Sequence, residues 1–138
     1  MTSPEESLET LVRGAFSGRG AGGFRPCALY DEPLDCIRVF SRDCSVTEIR
    51  INSLITVLEE NYPASGSSRK YVGFTINGAR HFCKENGLDL ATPIKLTEIL
   101  DKIFASSPTL LIRMFVDGFA RPLVEEQNIK TVDLSKAA

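Results

Sequence analysis

Apolar residues near the start of the sequence repeat with the spacing of an α-helix. Five of them follow one another at intervals of three and four positions: Leu8, Leu11, Val12, Ala15 and Phe16. Ser3 can cap this segment, Pro4 suits its first turn, and Glu6 completes a capping box. The pattern therefore predicts an N-terminal helix over residues 4–16.

A glycine-rich stretch follows this helix. It holds four glycines within six residues: Gly18, Gly20, Gly22 and Gly23. The spacing also matches the dinucleotide-binding fingerprint, but that fingerprint requires a strand before it and a helix after it. Because a helix is predicted before the glycines here, we interpret residues 17–25 as a flexible linker.

The next stretch favours two short strands. Cys27–Tyr30 is rich in residues that form strands, Asp31–Pro33 has turn composition, and Asp35–Phe40 is a second run of strand-forming residues. The pattern predicts antiparallel strands near residues 27–40.

Residues 45–60 carry two conflicting patterns. Ser45–Glu48 has the form of a capping box, and four apolar residues then follow with helical spacing: Ile51, Leu54, Ile55 and Leu58. Many β-branched residues in the same stretch favour strands instead. The long apolar stripe and the lack of a strong turn signal lead us to predict a helix.

The middle of the chain predicts one strand and two further helices. Tyr71–Ile76 reads as a strand that leads into a helix over Asn77–Asn86, with Gly87 placed to end that helix in a left-handed conformation. Thr92 is a suitable cap for the next helix, whose apolar pattern ends near Ser106.

The C-terminal part shows an alternating pattern. Apolar residues occupy every second position before an Asp117–Gly118 pair, and a second apolar run follows: Leu110, Ile112, Met114, Val116, then Phe119, Leu123 and Val124. An Asp-Gly pair between apolar runs is typical of a β-hairpin, so we predict a hairpin over residues 109–124. The alternative is one more helix, capped by Ser107. A last short strand is expected within Ile129–Leu134.

These elements together predict an α+β fold. Strands near residues 27–40 and the hairpin 109–124 would form a small antiparallel sheet packed with about four helices. The full length of 138 residues is that of one ordinary domain, so we expect residues 1–138 to form a single globular domain.

Charge and cysteine usage narrow the function classes. Sixteen basic and eighteen acidic residues give a formal net charge of −2, which provides no field for attracting nucleic acid. No apolar run approaches the roughly 18 residues of a membrane span, and the start of the chain has no secretory pattern. We therefore expect a cytoplasmic protein, not an integral membrane protein, with four free thiols: Cys27, Cys36, Cys44 and Cys83.

The sequence holds little catalytic signal. Motifs of serine hydrolases, zinc proteases, P-loops and EF-hands are absent, and no cofactor or metal is expected. His81 and Cys83 lie two positions apart on a predicted helix, where their side chains point away from each other. A small ligand- or anion-binding domain or enzyme that uses Arg19, Arg25 or His81 is the alternative to a non-enzymatic role.

A helix-turn-helix nucleic-acid binder is a further alternative. Phe82–Leu88 followed by a helix from Thr92 resembles that motif in outline. The link between the helices is long, and the second helix offers only Lys95 and Lys102 as bases. Phosphate contacts would therefore contribute little, which disfavours nucleic acid as a partner.

The C-terminal apolar residues carry the favoured hypothesis. A hairpin at a sheet edge normally keeps one face polar, whereas here both faces are apolar. We single out four interaction residues that a protein partner or a second copy would cover: Met114, Phe115, Val116 and Phe119. The sequence thus favours a non-enzymatic protein-interaction module acting as an accessory, regulatory or assembly factor.

Overall fold

The structure, a computed structural model, describes residues 25–61 and 71–134. The predicted helix over residues 4–16 and most of the predicted linker lie outside the described residues. The described elements, in chain order, are β1 (Cys27–Asp31), β2 (Cys36–Phe40), β3 (Val46–Arg50), β4 (Ile55–Glu60), β5 (Tyr71–Asn77), α1 (Ala79–Glu85), β6 (Ile94–Lys95), α2 (Leu96–Ser106), α3 (Leu110–Phe115, Val116–Ala120 and Arg121–Glu126) and β7 (Thr131–Val132).

Five strands form one antiparallel sheet in the order β1-β2-β5-β4-β3. The three central strands are the most buried, since β-branched and aromatic side chains pack well on a pleated surface. β6 and β7 form a separate two-stranded ribbon. β5 lies between β2 and β4 and so joins the hairpins β1–β2 and β3–β4 into one sheet.

The hydrophobic core lies between one face of the sheet and the helices. The sheet contributes alternate residues of its central strands: Ile37, Val39, Ile55, Val57, Phe74 and Ile76. α2 presents the apolar stripe of Leu96, Ile99, Leu100 and Ile103 to the same core. The α+β class is therefore correct, and the helices of the described residues pack on one face of the sheet.

The number and placement of the helices differ from the prediction. The described residues contain three helices rather than about four, and the sheet has five strands. The predicted strands near residues 27–40 and at Tyr71–Ile76 are confirmed, as is the helix that ends before Gly87, where φ is 75°. α2 begins after the β6 strand, because Ile94 pairs with Val132 instead of entering the helix.

The predicted helix over residues 45–60 is wrong. β3 and β4 form a hairpin there, joined by a tight turn at Asn52. The Asn52 side-chain oxygen accepts hydrogen bonds from the backbone N–H groups of Leu54, at 2.8 Å, and Ile55, at 2.7 Å. This turn and the β-branched residues outweigh the helical stripe, which arises because β4 is buried on both faces.

The predicted hairpin over residues 109–124 is also wrong. Residues 110–126 form one continuous helix, α3, in which Val116–Ala120 widens into a π-helical turn. Asp117 and Gly118 lie inside that turn. The alternative prediction of a helix was therefore correct, but its cap is Thr109 and not Ser107. The Thr109 hydroxyl oxygen accepts a hydrogen bond from the Ile112 N–H at 3.2 Å. The buried residues of both runs face the core from one side of this helix, whereas Leu110, Leu111 and Met114 are exposed.

Candidate functional site

An apolar groove lies between α3 and the β3–β4 side of the sheet. Its volume is about 210 Å³, and its lining is apolar throughout: Ile49, Ile51, Val57, Tyr71, Leu111, Met114, Phe115 and Phe119. We call this cavity the α3 groove. The groove forms because α3 packs beside the edge of the sheet and leaves the β3 end of that face uncovered.

A β-bulge directs Tyr71 into the α3 groove. Leu58 pairs with Gly73, but the next residue of β4, Glu59, pairs with Tyr71, so β5 contains one extra residue at Val72. The extra residue reverses the side-chain alternation of β5. Tyr71 therefore points to the helix side, where its ring lies 6.1 Å from the ring of Phe119.

Aromatic rings form the floor of the groove. The Phe74 ring lies 5.3 Å from that of Phe115 and 6.1 Å from that of Phe119, each measured between centroids, in edge-to-face arrangements. Such pairs contribute about 0.5–1.5 kcal/mol beyond their buried area. The rings that form the floor of the groove are therefore also part of the hydrophobic core or packed against it.

Exposed apolar side chains border the groove on α3. Leu110, Leu111 and Met114 are between 51% and 74% exposed, and we call them the α3 ridge. Tyr71 is exposed as well, so four of the five large apolar residues exposed in the described part of the chain gather here. The fifth, Leu34, lies in the turn between β1 and β2. Such clustering is typical of an interaction surface.

Charged residues on α3 flank this apolar surface. Arg113 and Asp117 stand one helical turn apart, with Nε and Oδ2 separated by 3.9 Å. Arg121 binds Asp101 of α2 at 2.6 Å and also approaches Asp117, at 3.7 Å. The outer face of α3 therefore carries one basic and one acidic position next to the ridge.

The four predicted interaction residues have different positions. Met114 belongs to the ridge, and Phe115 and Phe119 line the groove from within the core. Val116 is buried on the inner side of α3 and does not reach the groove. Leu111 and Tyr71 are groove residues that the site prediction omitted. The helical period could have found Leu111, whereas Tyr71 depends on the bulge.

The structure does not gather the predicted ligand-binding residues. Arg25 is exposed just before β1, and Arg19 lies outside the described residues. His81 is exposed on α1, where its Nε2 lies 3.0 Å from Oε1 of Glu85. Neither Arg25 nor His81 lines the α3 groove. Residues 25–61 and 71–134 contain no group of three or more His, Cys, Asp or Glu side chains that could hold a metal ion.

A second, more polar cavity of about 390 Å³ lies beside the β6–β7 ribbon. Residues of the ribbon, the start of α2 and the end of α3 line it: Lys95, Thr97, Val124, Glu125, Asn128, Ile129, Lys130 and Thr131. The two lysines are exposed, and Glu125 lies among them. None of the predicted ligand-binding residues lines this cavity.

The cysteine thiols are not activated as nucleophiles. Burial raises the pKa of all four thiols above the ordinary value; these are Cys27, Cys36, Cys44 and Cys83. The pKa of Cys83 rises to about 11. A thiol must ionise to attack, so a raised pKa lowers its reactivity at neutral pH. All four are free thiols, as the sequence predicts.

The polar cluster around Asp35 has a structural role. Its carboxylate accepts hydrogen bonds from the Tyr30 hydroxyl, at 2.6 Å, and from the Arg80 backbone N–H, at 2.9 Å. The Asp35 carbonyl also accepts from the Ala79 N–H at 3.0 Å. These bonds join the β1–β2 turn to the start of α1, where helix N–H groups lack partners within the helix.

A scan against protein-family models, a search of curated proteins and a search of solved structures each found no match to this chain. Among the described residues, no helix has the length and apolar character needed to cross a membrane.

Proposed function

We propose that the protein is a non-enzymatic protein-interaction module of the cytoplasm, with an accessory, regulatory or assembly role, and that a second copy of the chain docks on the α3 groove and ridge. One observation carries this proposal: three of the five exposed large apolar side chains in the described residues, Tyr71, Leu111 and Met114, line one apolar groove, and a fourth, Leu110, is next to Leu111 on α3. Covering such a surface removes apolar area from water, which favours association.

The size of the groove favours protein side chains as its occupants. Its volume of about 210 Å³ lies below the roughly 300–1,000 Å³ of typical small-molecule pockets. It also lacks the convergent polar groups that orient a small ligand. A few aliphatic side chains from another protein surface suit it better.

A second copy is the occupant that the shape of the surface favours. In a two-fold dimer the same patch must contact itself. Here the projecting ridge and the concave groove lie side by side. Packing two such surfaces against each other would place the exposed Leu111 and Met114 of one copy in the apolar groove of the other.

Strand pairing at the sheet edge is a weaker mode of association. β3 is the edge strand beside the groove, but it is only five residues long, and Glu48 and Arg50 are exposed on it. Short edge strands with charged side chains oppose pairing with another chain. The proposal therefore relies on the helix and groove.

The helix-turn-helix alternative lacks support from geometry. Ten residues, 86–95, separate α1 from α2, and the last two of them form β6. A helix-turn-helix joins its helices through a turn of roughly three or four residues. The formal net charge of −2 gives no compensating attraction to phosphates.

Ridge variants test the proposal directly. The double substitution Leu111→Asp and Met114→Asp places charges on exposed positions, so the fold should survive while dimerisation weakens. We expect the dissociation constant of the dimer to rise at least tenfold, which is about 1.4 kcal/mol. Sedimentation equilibrium over a concentration series measures it, and circular dichroism checks the fold.

Leu34→Asp is the matched control, because Leu34 is similarly exposed but lies far along the chain in the β1–β2 turn. It should leave the dissociation constant unchanged. A parent chain that stays monomeric at every concentration contradicts the second-copy proposal. So does a ridge variant that dimerises as tightly as the parent.

A further inference from the structure

The sheet face that points away from the helices is buried even though no described helix packs on it. Directly opposed residues in antiparallel strands share a face. Leu58 therefore lies on the face opposite to Val57, and Cys36 on the face opposite to Ile37. We call the face that carries Cys36, Thr56, Leu58, Glu60 and Thr75 the open face.

The central residues of the open face are almost completely shielded from water. Cys36, Leu58, Thr75 and Glu60 are each no more than 5% exposed. Glu60 is shielded in part by Arg42, whose guanidinium lies 3.0 Å from its carboxylate. For Leu58, the neighbours on the sheet do not account for the burial. Leu58 faces Gly73, which has no side chain, on one side, and the exposed Glu48 on the other. Since α1, α2 and α3 pack on the opposite face, another part of the molecule must cover this one.

We propose that residues 4–16 of the same chain form an amphipathic helix that packs its apolar stripe on the open face. This inference concerns a different face from the α3 groove and goes beyond the proposed function. Leu8, Leu11, Val12, Ala15 and Phe16 recur with helical spacing, so the segment offers apolar side chains to the buried Cys36 and Leu58 of this face. Its opposite side carries Thr10 and Arg13, which suit contact with water.

The length of the connection allows this placement. The described residues start at Arg25, next to β1 at the edge of the sheet. Eight residues, 17–24, can span up to about 27 Å at roughly 3.4 Å per residue. The centre of the face on β5 lies only two strand spacings from β1, about 10 Å. A helix of thirteen residues, about 20 Å long, is sufficient to cover β2, β5 and β4.

The tether also favours the chain's own segment over another molecule. A tether of only eight residues would keep the segment near the sheet at an effective concentration on the order of millimolar. A separate molecule would have to compete with this high local concentration of the chain's own segment. Cover by the same chain should therefore not depend on protein concentration.

Thiol labelling tests the inference, because the open face and the core each contain one buried cysteine. In a full-length background with Cys27→Ser and Cys44→Ser, Cys36 reports on the open face and Cys83 reports on the helix side. Both should react slowly with a maleimide. Leu11→Asp should speed the labelling of Cys36 at least about tenfold, since opening of a protected site governs its reaction. Cys83 should stay protected.

Thr10→Asp is the matched control, because it adds the same charge on the opposite side of the predicted helix. It should leave the labelling of Cys36 unchanged. Rapid labelling of Cys36 in the unsubstituted background overturns the inference. No acceleration by Leu11→Asp also overturns it.

A disulfide measurement covers the case in which Leu11→Asp unfolds the whole chain and exposes both cysteines. With Cys83→Ala added to the background, Leu11→Cys should form an intramolecular disulfide with Cys36 under mild oxidation, and Thr10→Cys should not. Equal disulfide yield from the two positions contradicts the docking of the apolar stripe. A disulfide that joins two chains contradicts cover by the same chain.

Discussion

At the scale of single residues, Gly73 shows how closely the sheet is packed at its bulge. A Cβ atom added there would lie inside contact distance of the Val39 carbonyl oxygen, a backbone atom that cannot move independently. It would also lie 3.3 Å from Cδ1 of Leu58. Only glycine allows β2 and β5 to approach in this way. The pairing of β2 with β5, next to the bulge that directs Tyr71 into the α3 groove, therefore depends on a residue without a side chain.

Gly73→Ala should lower the free energy of unfolding by about 2 kcal/mol or more, because the clash involves backbone. Gly118→Ala is the matched control. Gly118 lies in α3, where an added Cβ atom would have no neighbour within 4 Å, and alanine favours helix. We therefore expect no loss of stability there and a gain of up to about 1 kcal/mol. Urea unfolding measures both, and equal destabilisation by the two substitutions would contradict this view of Gly73.

At the scale of elements, the β3–β4 hairpin depends on the side chain of Asn52, which forms a short polar pair with Ser53 between apolar residues. Asn52 bonds the N–H groups of Leu54 and Ile55 and so supplies the turn. Asparagine favours turns because its side chain can replace a backbone acceptor. This turn signal is only two residues long, whereas the helical stripe around it is the longer pattern. Strand pairing with β5 then decides between the two.

Asn52→Ala should destabilise the protein by about 1–2 kcal/mol, because two backbone donors lose their acceptor. Asn52→Asp keeps an acceptor oxygen and should cost less. Ser53→Ala, at the exposed neighbouring position, should have almost no effect. Chemical unfolding of the three variants ranks them. A Ser53→Ala loss as large as that of Asn52→Ala would show that the turn does not rest on the Asn52 side chain.

At the scale of the whole molecule, the Asp35 cluster joins parts that are distant in sequence. Asp35 connects the β1–β2 turn to α1, and the Arg80 guanidinium donates to the Leu134 carbonyl at 3.0 Å. Burial raises the pKa of Tyr30 to about 12, and the hydrogen bond to Asp35 adds to this. Burial raises the pKa of Cys83 to about 11, with a smaller effect from the charge of Asp35. Both groups are thus held in their neutral forms.

These two raised pKa values predict alkaline destabilisation. The ordinary values are 9.0 for the thiol and 10.0 for the phenol, so the folded protein retains protons that the unfolded chain releases. Stability is full below about pH 9 and falls as the pH rises through the folded pKa values of about 11 and about 12. Tyr30→Phe should make the loss above about pH 10 less steep. Urea unfolding across this range measures the slope, and an unchanged slope in Tyr30→Phe contradicts the assignment.

Local patterns in the sequence were sufficient for several elements. The strands of residues 27–40, the strand before α1, and the helices α1 and α2 follow from β-forming runs, a C-terminal glycine and an apolar stripe. The α+β class follows from their order. These features are local, since propensity and periodicity act over a few residues and do not need a distant partner. The concentration of apolar residues around Met114 was also visible in the sequence.

Only the tertiary structure decided the form of two segments and the composition of the α3 groove. The segments 45–60 and 109–124 each fit two periodicities, and long-range pairing selected strands for the first and a helix for the second. The α3 groove joins Ile49, Tyr71 and Phe119, which no local pattern connects. The sequence by itself determined which residues must leave water. Only the packing of β5 between β2 and β4 determined which of them meet, because burial is encoded locally whereas pairing between distant segments is chosen by the whole fold.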